Sequence, residues 1–191
     1  FRPVQLALTD EGLDGLALHL INDTQHTKHL RVTLTAYAAD GAPVIDGTLM
    51  KSAPPHSVQA LSSAEVFGLF FDITYAYRFG PAAHVVTVAR LENATTGEPL
   101  AEAVHFPLGR AAAMADPGLG ATPGRDGAGA YLDLTATRIA QSVHIAAPGF
   151  EPEDDWFHLA PGTVRRLRLA GEGVPVGTAH ALNASRPVRF G

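Results

Sequence analysis

The chain contains no cysteine. Disulfides and thiolate chemistry are excluded, and with them a small secreted domain held by cross-links. An excess of positive charge is also lacking. Fourteen Lys and Arg stand against 19 Asp and Glu, for a formal net charge of -5 and a sequence pI near 6.0. Nucleic-acid binding calls for a basic patch or stripe, and membrane-surface binding for a Lys/Arg run, and neither is present. No apolar run approaches the roughly 18 residues of a membrane-spanning helix. Helical periodicity over about ten residues is absent too. Tryptophan occurs once, at Trp156.

What the chain does have is alternation. Leu16, Leu18 and Leu20 alternate with Ala17 and His19, and Leu30, Val32, Leu34 and Ala36 with Arg31, Thr33, Thr35 and Tyr37. Leu132 and Leu134 flank Asp133, and Leu167 and Leu169 flank Arg168. A strand with one face on a core and one in water reads this way. Asp40-Gly41 is a hairpin cue, and turns centred on Thr96-Gly97 and Pro161-Gly162 separate further strands. Ser62 and Glu65 have capping-box spacing, but Gly68 follows too soon for a long helix. The fold class implied is all-β, with antiparallel strands in sandwiches.

Residues 109–129 are rich in Gly, Ala and Pro, have no alternation, and read as a linker. Residues 1–108 then form a first module of immunoglobulin-like size, about 100 residues. Residues 130–191 form a shorter module expected to hold fewer strands or to lean on its neighbour. The expected core comprises Leu16, Leu18, Leu20, Leu30, Val32, Leu34, Val86, Val88, Leu132, Leu134, Phe157, Leu167 and Leu169. The first residues are Phe1-Arg2-Pro3 rather than Met, as in a piece of a longer polypeptide. A cytoplasmic and a bacterial periplasmic location are both compatible with it.

Candidate chemistry is sparse. The dense acidic cluster Glu151, Glu153, Asp154 and Asp155 follows Pro148-Gly149 and reads as a solvated loop. His26 and His29 flank Lys28, whose charge opposes a cation, and zinc would need ligands that are not apparent, so no metal site is assigned. No Gly-x-Ser-x-Gly elbow or phosphate-binding loop occurs. No catalytic or cofactor-binding residue is assigned. If residues 73–79 are extended, Ile73, Tyr75, Tyr77 and Phe79 share a face. Core packing, docking against another domain, and stacking on sugar rings are the three readings of that face. Trp156 and His158 face away from Phe157 and Leu159, so Trp156 joins Tyr75 and Tyr77 as a candidate interdomain or sugar contact.

The run Asp154-Asp155-Trp156-Phe157-His158-Leu159-Ala160-Pro161-Gly162 resembles a motif near the C-terminus of β-mannosidases of glycoside hydrolase family 2. That motif is Asp-Asn-aromatic-Phe-x-Leu-x-Pro-Gly, and Asp155 stands here where Asn is usual. The strand at residues 16–23, ending in Asn22-Asp23, resembles the opening of the first module after the catalytic barrel. The resemblance implies that the chain is two immunoglobulin-like modules of a bacterial enzyme, with the barrel of the same polypeptide as partner. It implies that β-mannoside substrate is met only through the parent, which releases terminal β-linked mannose by a retaining mechanism. The family's acid/base glutamate follows an Asn, and no Asn-Glu dipeptide occurs in this sequence, so no catalytic residue is carried over. An independent carbohydrate-binding or adhesion module is the alternative.

Overall fold

The computed structural model describes residues 2–191. The chain divides into two compact units: residues up to Arg110 without 39–42, and residues 39–42 with Ala111–Gly191. Both are all-β.

The first unit is built from β1 (Val4–Asp10), β2 (Leu16–Asn22), β3 (Lys28–Tyr37), β4 (Pro43–Ala53), β5 (Ser57–Ser62), β6 (Val86–Asn93) and β7 (Pro99–His105). They form two antiparallel sheets, ordered β1-β2-β5 and β4-β3-β6-β7. The alternation decides which faces meet. Leu16, Leu18 and Leu20 of β2 and Leu30, Val32 and Leu34 of β3 are all buried in one cluster with Ala89 and Leu91 of β6. A short helix, α1 (Ser63–Phe67), follows β5. The Ser62 hydroxyl accepts from the Glu65 amide at 3.2 Å, and the Glu65 carboxylate accepts from the Ser62 amide at 2.7 Å. Gly68, left-handed at φ 71°, ends the helix. Gly47 of β4 passes beneath it, where a Cβ would lie 2.4 Å from the Val66 carbonyl oxygen.

The second unit contains β8 (Gly120–Asp126), β9 (Gly129–Thr135), β10 (Ala140–Ala146), β11 (Glu151–Pro152), β12 (Phe157–Leu159), β13 (Val164–Ala170), β14 (Gly177–His180) and β15 (Val188–Phe190). Two four-stranded sheets, β12-β10-β14-β15 and β11-β13-β9-β8, enclose Leu132, Leu134, Val143, Leu159, Leu167 and Leu169. This corrects the expectation of fewer strands. The linker expected at 109–129 is corrected as well, because β8 lies inside it and pairs with β9 from Gly120↔Thr135 to Asp126↔Gly129. The strand escapes periodicity because it is an edge. Pro123 needs no ladder hydrogen bond on its open side, and Gly124 lies under the Tyr131 ring, whose Cζ would be 2.4 Å from a Cβ.

Of the expected core, only Phe157 is not fully buried. It packs on the second cluster from the rim, with the Arg165 guanidinium 3.8 Å from its ring centre.

Candidate functional site

Among the described residues, large exposed aromatic side chains stand in two places, one on each unit. On the first unit the site is the segment joining α1 to β6, residues 68–85. The strand expected at 73–79 is not formed. Asp72 supplies the reason: its carboxylate accepts from the amides of Ala76 (2.8 Å), Tyr77 (3.1 Å) and Arg78 (3.2 Å). Those donors are thereby taken from any ladder. Tyr75 and Arg78 adopt positive φ, 58° and 54°, which breaks the pleat. Alternating residues therefore do not share a face. Ile73 is buried in the core, while Tyr75 and Tyr77 turn along the surface.

Side-chain hydrogen bonds fix this loop to its own unit. The Thr74 hydroxyl donates to the Gly12 carbonyl at 2.7 Å, the Tyr77 hydroxyl to Leu13 at 3.2 Å, and the Tyr75 hydroxyl to Gly80 at 2.6 Å. On this frame Phe70, Tyr77 and Phe79 form a ladder of rings. The Phe70–Tyr77 centroids are 5.3 Å apart edge to face, and Tyr77–Phe79 are 5.5 Å apart and stacked. Phe79 remains 82% exposed, Phe70 61% and Tyr77 39%, with exposed Leu13 and Leu69 also on this unit. Large apolar side chains gathered on a rigid loop mark a contact surface. Tyr77 thus lies in the ladder, whereas Tyr75 serves to shape the loop. Phe70 escaped the sequence reading; its only signal was the apolar run Leu69-Phe70-Phe71 directly after the Gly68 helix stop.

His84 underpins the loop. It is buried, its Nε2 donates to the Ile73 carbonyl at 3.0 Å, and its ring lies 5.4 Å from that of Phe71. Burial lowers its pKa, with nearby His105 adding to the effect, although the Ile73 bond and Asp72 pull the other way. The unfolded chain therefore binds this proton more readily than the folded one. Stability from His84 is complete above about pH 6.5 and is lost as pH falls through that value toward the lower folded pKa. Between pH 7 and 5 the melting temperature is expected to fall more for the parent chain than for His84→Gln, whose amide can still donate to Ile73. Equal falls would remove His84 from the account.

On the second unit the site surrounds Trp156. The acidic cluster is solvent-facing at Glu151 and Glu153, as expected of a charge run, but three of its members also make structural contacts. The Glu153 amide donates to the Arg168 carbonyl and its carboxylate accepts from the Arg168 amide, both at 3.0 Å. Asp154 pairs with Arg165. Asp155 accepts from the Ile145 amide at 3.0 Å and from His144 Nδ1 at 2.7 Å. Such partners were invisible in a sequence window, because they come from β10 and β13. Trp156 itself is 63% exposed and stacks on His144, with centroids 4.6 Å apart and planes 13° from parallel. Tyr75 and Tyr77 belong to the first unit and Trp156 to the second.

The acid/base chemistry of glycoside hydrolysis requires a carboxyl kept protonated by its surroundings. Here four carboxyls are shifted the other way. Asp126 and Asp133 are stronger acids than usual through hydrogen bonds from Arg168 and Arg166 respectively, Glu65 through the Ser62 amide, and Asp116 through the Gly118 amide. Among the described residues, no group of His, Asp and Glu has the geometry of a metal site.

Residues 14–108 match the model of a family described as Mannosidase Ig/CBM-like domain. No curated protein matches. Among solved structures, the chain is similar to the exo-chitosanase CsxA of Amycolatopsis orientalis, with 15% identity and a TM-score of 0.64 over 98% of this chain and 26% of that one. It is also similar to the β-D-mannosidase of Dictyoglomus thermophilum, with 14% identity and a TM-score of 0.65 over 90% of this chain and 22% of that one. The chain spans about a quarter of each of these proteins. The family match contains the strand at 16–23, whose likeness to the first module after a family 2 barrel was read from the sequence, and it ends before the Trp156 motif.

Proposed function

We propose that the chain, whose residues 14–108 belong to the Mannosidase Ig/CBM-like domain family, is the non-catalytic C-terminal part of a β-mannosidase and packs against the catalytic barrel of the same polypeptide. The exposed Phe70–Tyr77–Phe79 ladder carries this reading. A preorganised loop loses little freedom on docking, and covering its apolar rings removes them from water at about 25 cal/mol per Å². In this role the chain steadies the barrel, and the barrel supplies the two carboxyls that cleave the terminal β-mannosidic bond.

The test is hydroxyl-radical footprinting of Phe70, Tyr77 and Phe79, on this chain alone and on the longer polypeptide that contains it. Strong protection in the longer polypeptide is the expected result. Equal oxidation of the three rings in both would sink the docking reading.

A second expectation concerns activity. The purified chain should release no chromophore from an aryl β-mannoside, since Glu65, Asp116, Asp126 and Asp133 are held as carboxylates rather than as acids. Turnover abolished by Glu153→Ala or Asp154→Ala, with the fold intact by circular dichroism, would overturn the non-catalytic assignment.

A further inference from the structure

We propose that Trp156, backed by His144 and positioned by Asp155, is a saccharide-stacking subsite on the second unit that takes the apolar face of a β-linked hexose. The choice of β-linked hexoses rests on the reading above; the site itself rests on its geometry.

Trp156 is presented rather than merely left over. One face of the indole is covered by the near-parallel His144 ring, and the residue stays 63% exposed. Its backbone is left-handed, φ 60°, and Ser142 on the adjoining β10 is likewise positive at φ 46°. A bulky aromatic at positive φ is an outlier that persists only when its surroundings enforce it. Here they do. The Trp156 amide donates to the Val143 carbonyl at 2.8 Å. The preceding Asp155 is tied to β10 through the Ile145 amide and His144. Packing does not call for this arrangement, because the neighbouring Phe157 and Leu159 already supply the side chains that meet the core. The strain goes into fixing an exposed ring.

The surroundings select the ligand class. The indole stands beside polar groups: His144 and the carboxylate of Asp155, with His180 in register with His144 on β14. A protein partner favours contiguous apolar area, as in the Phe70 ladder. A hexose has an apolar C–H face for the ring and hydroxyls for the polar rim, the mixture offered here.

Trp156 is the chain's only tryptophan, so emission excited at the red edge, where tyrosine does not absorb, reports on this site alone. The chain is titrated with β-1,4-linked oligosaccharides of mannose, of glucose and of glucosamine. At least one series should give a saturable blue shift with reduced acrylamide quenching, and a dissociation constant on the order of 1 mM. His144→Ala should weaken binding roughly tenfold, while His144→Phe, which restores a stacking ring, should retain it. Calorimetry should find no binding to Trp156→Ala.

Unchanged emission with every oligosaccharide, or equal affinity in Trp156→Ala, would overturn the proposal. So would a Trp156 already shielded from acrylamide in the sugar-free longer polypeptide, since a protein surface would then occupy it. Binding of the glucose or glucosamine series without the mannose series would support the subsite and count against a mannosidase parent.

Discussion

A Val32→Asp variant is expected to lose the folded first unit at ambient temperature. Val32 sits fully buried in the middle of β3, between Leu49 of β4 and Leu91 of β6. Its side chain joins a cluster of Leu, Val, Ile and Ala that supplies no cation. A carboxylate there either stays ionised without a partner or takes up a proton and remains without a hydrogen bond, and both are costly. The loss should exceed about 4 kcal/mol, against the 5–15 kcal/mol that usually holds a domain together. Hydrogen exchange across β2, β3 and β6 is the suitable measurement, because the only tryptophan lies in the other unit. Native protection of those strands in the variant would show that β3 buries its other face.

The second large effect is expected at Asn183. It is a buried polar residue whose Nδ2 donates to the carbonyls of Ile139 (2.8 Å) and Ala115 (2.9 Å), while its Oδ1 accepts from the Gln141 amide at 2.9 Å. Asn183→Leu strands the buried Ile139 carbonyl and Gln141 amide at once, while the exposed Ala115 carbonyl can turn to water. Each unsatisfied buried group costs about 1–3 kcal/mol, so two of them should cost the variant about 2–6 kcal/mol. Asn183→Asp keeps the acceptor for Gln141 but turns an oxygen toward two carbonyls, and should fall between the parent and the Leu variant. Urea denaturation followed by Trp156 emission reads this unit directly. A midpoint for Asn183→Leu within experimental error of the parent would mean that Asn183 is not the hub that the bonds describe. Asn22 makes the corresponding arrangement in the first unit, donating to the carbonyls of His26 and Ala53 and accepting from Thr24.

Neither asparagine was visible as a hub in the sequence. Asn22 stood out only through its place at the end of an alternating strand, and Asn183 not at all. Hydrogen bonds between residues 44 positions apart, as between Asn183 and Ile139, leave no local trace. The acidic run 151–155 illustrates the same limit. Charge density beside Pro and Gly reads as a solvated loop, yet the partners that make Asp155 and Glu153 structural arrive from β10 and β13.

By itself the sequence determined which faces of β2, β3, β9 and β13 are buried. A period of two forces one face inward wherever a sheet has one wet side, and Leu16 to Leu20, Leu30 to Leu34, Leu132 to Leu134 and Leu167 to Leu169 leave no other solution. It also determined the turn of helix after Ser62, whose cap is a contact between residues three apart. Only the tertiary structure decided the edge strand β8, which leans on Tyr131 rather than on a pattern of its own. It also decided the two exposed aromatic sites. Residues 73–79 alternate like a strand, but three amides bound to one Asp72 carboxylate bend them into a loop and turn Phe79 outward. Trp156 is held at positive φ by a carboxylate fastened to β10, a strand ten residues earlier. Burial patterns are written in neighbouring residues, whereas the direction of an exposed ring is set by whichever distant groups capture its backbone.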